Sequence, residues 1–194
     1  MQLWTPHLLS IERNYRTARQ NDPARVRPIP LLAELLCHCG WYELDQNQAA
    51  LDTLAAAKAI CDDQYGDRPE PLTALVCSNI GVIHAARDRP KQGLEMSNLA
   101  LKLRRICLPP DHPQIGESLN NCAGGYHDMG QLEEAQKLFE DSVALQERTA
   151  VRNENLLEGA YSNLGLNLMA MERYDCEGSL GEQNAVAKSY IKLI

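Results

Sequence analysis

Asn79, Asn121 and Asn163 stand 42 residues apart in a chain of 194, and the residues around them repeat in kind. Two positions earlier come Cys77, Leu119 and Tyr161, all bulky or apolar, and two positions later come Gly81, Ala123 and Gly165, all small. Five positions later come His84, Tyr126 and Leu168. Run backwards, the register puts Leu35, Cys37, Cys39 and Tyr42 on the bulky, Asn, small and Tyr places of an earlier unit. A fixed period of this length marks supersecondary units that cannot bury an apolar face alone and must stack on their neighbours.

Each unit reads as two helices and a short turn. "HPQIGESLNNCAGGYHDMG" gives a first helix, A, closed by Gly130 as its C-terminal stop. "LEEAQKLFEDSVALQER" gives a second, B, with Leu132, Ala135, Leu138, Phe139, Val143 and Leu145 at amphipathic spacing. Pro90 suits a helix start. Pro109, Pro110 and Pro113 end one helix and restart the next, because proline lacks a backbone donor and restricts its predecessor. Small residues at 81, 123 and 165 allow A and B to approach closely. In the last unit Glu177, Gly178 and Gly181 break the pattern of the B helix.

The expected architecture is therefore an all-α solenoid of antiparallel helix hairpins. An N-terminal capping helix and linker take residues 1–29, with Leu8, Leu9, Ile11 and Tyr15 on the apolar side that covers the first repeat. The array takes 30–190, in repeats of about 32–73, 74–115, 116–157 and 158–190. A single Phe in the whole chain leaves the core to Leu, Ala, Ile and Met, which lose little side-chain freedom in helices.

Charge and composition narrow the function. A net charge of −7 gives no global basic footprint for nucleic acid. No apolar run is long enough to span a membrane, and the N-terminal helix is too modest to bind a membrane surface. Seven cysteines form no regular framework and follow no secretory leader, so a reducing cytoplasm is expected. The scattered Arg of the N-terminus keep an organelle-targeting reading open.

Candidate chemistry is thin. In "CHC", successive side chains of a helix point about 100° apart, so Cys37, His38 and Cys39 cannot converge on one tetrahedral metal. Cys122 and His127 sit five apart on one helix, which is not facing geometry, and the register makes Cys122 core and His127 helix-end surface. No G-x-x-x-x-G-K-[ST] occurs. No cofactor, no metal and no catalysis are expected.

The segment "LPPDHPQIGESLNNCAGGYHDMGQLEEAQKLFEDSVAL" (108–145) resembles the tetratricopeptide repeat (TPR), in the 42-residue form of kinesin light chains, and the likeness extends over about 32–176. "GWY" also resembles TPR arrays that follow NTPase modules in large fungal proteins. The resemblance implies a right-handed superhelix acting as a protein–protein interaction scaffold. It implies that Asn79, Asn121 and Asn163 face a concave groove and bond the backbone of a bound peptide. Ser78, Val82, Ala85, Glu117, Asn120, Gly124, Asp128, Ser162 and Leu166 would then be groove neighbours. The alternative role for these Asn residues is to tie neighbouring helices together. A clamp for acidic chaperone tails is disfavoured, since Leu36, Gly40 and Glu117 hold its Lys and Asn places. The second functional expectation is self-association, as a homodimer, through the C-terminal edge, or a regulatory fragment of a larger signalling NTPase.

Overall fold

The computed structural model describes residues 5–22, 29–42, 47–149 and 153–178. The last unit's B helix beyond Gly178, and the side chains of Leu8, Leu9 and Glu177, lie outside what is described. The helices are α1 (Thr5–Asn21), α2 (Pro30–Tyr42), α3 (Asn47–Tyr65), α4 (Pro71–Ala86), α5 (Pro90–Cys107), α6 (Pro113–Asp128), α7 (Leu132–Arg148) and α8 (Glu154–Gly178). The pairs α2/α3, α4/α5 and α6/α7 pack as hairpins, and α8 is a further A helix stacked on α6 and α7.

Helices α2, α4, α5 and α6 all begin on a proline, whose missing N–H is no loss in a first turn. At α6 the imidazole of His112 adds a cap, its Nδ1 accepting from the Gln114 N–H at 3.2 Å. The stops are equally local. Arg89 N–H donates to His84 O and Gln131 N–H to Tyr126 O, both at 3.0 Å, closing α4 and α6 by the six-to-one bond of a Schellman turn. That turn needs one left-handed residue, supplied by Asp88 (φ 55°) and by the expected Gly130 (φ 75°). The corresponding place in α8 holds Glu172, which lacks glycine's freedom and the short aspartate's local hydrogen bonding. Helix α8 does not stop there and runs on to Gly178, 25 residues in all.

The close approach expected at the small positions is made most tightly between α4 and α5. A Cβ on Gly93 would lie 2.9 Å from Gly81 O and 3.2 Å from Ala85 N, both backbone atoms that cannot step aside. In the next hairpin Ala123 is fully buried, and Ser142 Oγ donates to Gly116 O at 2.7 Å. Of the amphipathic B-face residues in α7, Leu132, Ala135, Phe139, Val143 and Leu145 are buried, and Leu138 is half-buried.

Burial runs along the stack as successive clusters. One joins Tyr15 to Leu36, Leu54, Ile60 and Ile83; a second centres on Leu101, Leu119 and Cys122; a third on Phe139, Val143 and Leu164. Tyr15 is covered as expected, but Ile11 is 52 % exposed. The reason lies in the facing set on α1. Glu12 and Tyr15 turn inward, and Arg19 pairs with Asp63 of α3, so Ile11 points to solvent.

A helices touch one another at every step: α2 on α4, α4 on α6, α6 on α8. Among the described residues no comparable B-to-B packing joins α3 to α5 or α5 to α7. The A helices therefore form the inner, concave wall.

The two glycine roles separate by measurement. Gly130→Ala meets nothing within 4 Å and carries only the left-handed penalty, about 1 kcal/mol. Gly93→Ala must push two backbones apart and is expected to cost about 2–3 kcal/mol. Urea midpoints of the two variants give the comparison, and equal losses would refute the close-packing account.

Candidate binding groove

Two adjoining hollows run along the concave wall, of about 430 Å³ and about 180 Å³. The larger is lined by Ser78, Asn79, Val82, Glu117, Asn120 and Asn121 among the sequence candidates. The smaller shares Val82, Asn120 and Asn121 and adds Ala85, Gly124, Asp128 and Asn163. Leu166 and Ser162 line neither. Leu166 occupies the register place of Val82 and Gly124, but those residues have a following A helix to face, whereas no described helix follows α8.

Sequence reasoning missed several groove residues. His38, Leu75, Gln146, Asn155, Leu156 and Gly159 also line the larger hollow. Leu75 and Gly159 share the register column of Glu117, so the period itself carried their signal. Gln146 carried none, because it reaches the groove from a B helix.

The register amides do something definite. Asn79 Nδ2 donates to Cys37 Sγ at 3.2 Å, Asn121 Nδ2 to Ser78 Oγ at 3.3 Å, and Asn163 Nδ2 to Asn120 Oδ1 at 3.2 Å. Each bond crosses from one A helix to the one before it. The amides are half-buried, so each also keeps an edge toward the groove.

Behind Glu117 lies a cation that the sequence reading overlooked. Arg104 of α5 is 1 % exposed; its Nη1 donates to Gln114 O and Ser118 Oγ, both at 2.8 Å, and stands 3.4 Å from Glu117 Oε2. Burial lowers the Arg104 pKa, and the Glu117 charge opposes that shift. At the far end, His127 is not free helix-end surface: its Nδ1 lies 2.8 Å from Oδ1 of the fully buried Asn167. Asn167 Nδ2 donates to Leu132 O at 2.9 Å, so Oδ1 is the acceptor and the Nδ1 of His127 bears the proton.

The thiols are core groups. Burial pushes Cys37 up to about 12, with the Asn79 hydrogen bond pulling back, Cys77 up to about 11 and Cys122 up to about 12. They are protonated at neutral pH and are not nucleophiles there. Among the described residues no group of three His, Cys, Asp or Glu side chains is placed to hold a metal ion. No described helix is long and apolar enough to cross a membrane.

Stacked helix hairpins with a groove along their A helices define the chain as an α-solenoid repeat protein. Residues 72–148 match the family model of the tetratricopeptide repeat, so the stretch from α4 to α7 carries TPR units, similar to the repeats of kinesin light chains. The structure of the chain is similar to that of a kinesin-light-chain-like protein of Podosopora anserina with nearly identical TPR-like repeats. That match has 20 % identity and a TM-score of 0.65, over 74 % of this chain and 68 % of that one. It is also similar to BtubC (BKLC) of P. vanneervenii, at 16 % identity and a TM-score of 0.67, over 91 % of this chain and 77 % of that one. At these identities the likeness is one of fold. No curated protein sequence matches the chain.

The raised thiols fix a pH dependence. The fold favours the protonated form, so this contribution is intact below the ordinary thiol pKa of 9.0 and is lost as pH rises toward about 12. The urea midpoint is expected to hold up to pH ~8.5 and stability then to fall by at least about 1 kcal/mol per pH unit. Cys77→Ala should fall less steeply. An unchanged slope in that variant would show that other groups carry the effect.

Proposed function

We propose that the protein is a non-catalytic interaction scaffold that captures an extended peptide segment of a partner protein in this groove. The observation that carries the reading is a continuous wall of A helices, α2 to α8, with half-buried amides at a constant register and room between them. An extended chain presents backbone N–H and C=O groups at regular intervals and matches such a row without regard to its side chains. Cys37, Cys61, Cys77, Cys107 and Cys122 are free thiols, which supports a reducing, cytoplasmic setting.

A second reading, self-association through the C-terminal edge, is supported by Leu166 and Met169, 57 % and 40 % exposed on α8. Analytical ultracentrifugation of the wild type and of Leu166→Glu decides it: a dimer that the substitution dissociates supports this reading, and a wild-type monomer removes it.

Groove capture is tested by filling the groove at positions that leave the stack intact. A Cβ on Gly124 or Gly159 meets nothing within 4 Å, so Gly124→Trp and Gly159→Trp start from an unobstructed Cβ and project bulk into the groove. Both should keep or slightly raise the melting temperature, since each removes a helix glycine. Both should also lose at least about tenfold in affinity on a peptide array that the wild type reads selectively. If the wild type selects no peptide, or the filled variants bind as well as it does, the groove is not the site.

A further inference from the structure

We infer that the groove selects a positively charged segment, an extended peptide bearing Lys or Arg side chains. This rests on the groove reading above and deepens it.

The register amides give the groove its backbone-binding groups and set no charge preference. One Nδ2 hydrogen of each is committed to the preceding helix, and no described residue donates to Oδ1 of Asn79, Asn121 or Asn163. What remains at each is the second Nδ2 hydrogen and the Oδ1 carbonyl, a donor and an acceptor that suit a peptide backbone. Gln146, only 4 % exposed, repeats the arrangement: its Nε2 donates to Ser142 Oγ at 3.0 Å, and its Oε1 has no described donor where it lines the larger hollow.

The charged groups set that preference. Glu117 and Asp128 line the hollows, and no Lys or Arg does so among the described residues. Arg104 beside Glu117 is buried on α5, holds Gln114 and Ser118 as well, and does not reach the groove. Asp128 has no ion-pair partner among the described residues. Desolvation raises its pKa, the neighbouring His127 opposes this, and Asp88 adds to it. A bound cation would offset that desolvation. The smaller hollow that Asp128 lines is also lined by Val82, Ala85 and Gly124, small or apolar neighbours suited to an unbranched Lys or Arg stem. Asn120 Nδ2 and the Ser78 hydroxyl proton remain as donors, enough for peptide carbonyls. An acidic segment would face Glu117 and Asp128 with no Lys or Arg among the lining residues to offset them.

The test is fluorescence anisotropy on the full chain with three labelled Ala/Ser peptides whose two central residues are Lys, Gln or Glu. At about 50 mM salt the Lys peptide should bind about tenfold tighter than the Glu peptide, with Gln between them. At about 500 mM salt the gap should shrink. In Asp128→Asn the Lys/Glu ratio should fall about threefold while Gln-peptide affinity holds. If the Gln peptide binds but Lys is no tighter than Glu, or Asp128→Asn leaves the ratio intact, this inference is overturned and groove capture stands. If no peptide of any charge binds, both fail.

Discussion

The three inter-helix amide bonds decide more of this molecule than their number suggests. Each joins an A helix to the A helix before it, through a donor at one register place and an acceptor 42 or 43 residues earlier. The acceptors are chemically unlike: a thiol sulfur, a hydroxyl and an amide oxygen. The shared requirement is a short side chain with a lone pair, so Cys37 serves in the first unit where the pattern would place an Asn. A single bond of this kind contributes about 1 kcal/mol, less to a thiol. Repeated along one wall and not along the other, such bonds hold A helices at side-chain contact. The stack therefore curves with the A wall inside, and the groove is a consequence of that curvature.

Within a hairpin the constraint is different, because there the backbones themselves meet. Gly81 and Gly93 allow this in the second unit, while the third combines Ala123 with a Ser142–Gly116 hydrogen bond. Between hairpins, Arg104 anchors α5 to the start of α6 by holding a carbonyl, a hydroxyl and a carboxylate at once. Removing one partner of so buried a cation costs far more than the pair contributes. The consequence reaches the groove: Glu117 is held from behind, and its position on the inner wall is not adjustable.

The parts of the structure legible in the sequence were those set by local chemistry repeated at a fixed interval. Gly130, the helix-opening prolines and the small residue at 81 each act within a few residues or at a register place, and the period exposes them. Three things were not legible for one physical reason: they depend on what faces a residue across the stack. Ile11 is apolar yet outward, because Tyr15 and the Arg19–Asp63 pair set the docking face of α1. Leu166 shares a column with groove residues but has no described helix to close a groove over it. Arg104 and Gln146 belong to B helices, whose polar residues look solvent-facing in any amphipathic reading, although both are at least nine-tenths buried. The continuation of α8 through Glu172 was readable in principle, by asking which residue stands where α4 and α6 place Asp88 and Gly130.

In a one-dimensional stack every inner-wall position is both groove and interface, so affinity and stability are coupled wherever a side chain reaches the neighbouring helix. The amide column is the strongest case. One donor of each amide holds the repeats together, and the rest of the amide faces the hollows, so a substitution there changes stacking and the proposed capture at once and cannot report on either alone. Gly124 and Gly159 are the reverse case, facing the groove with open space where a Cβ would stand. Asp128 lies between, at the last turn of α6, bonded to no neighbouring repeat yet within the smaller hollow. In the proposed capture, charge preference can therefore drift through Asp128 with little effect on stacking, while the amides stay fixed by the fold they support. That separation lets a single repeat scaffold keep its mode of capture and change what it captures.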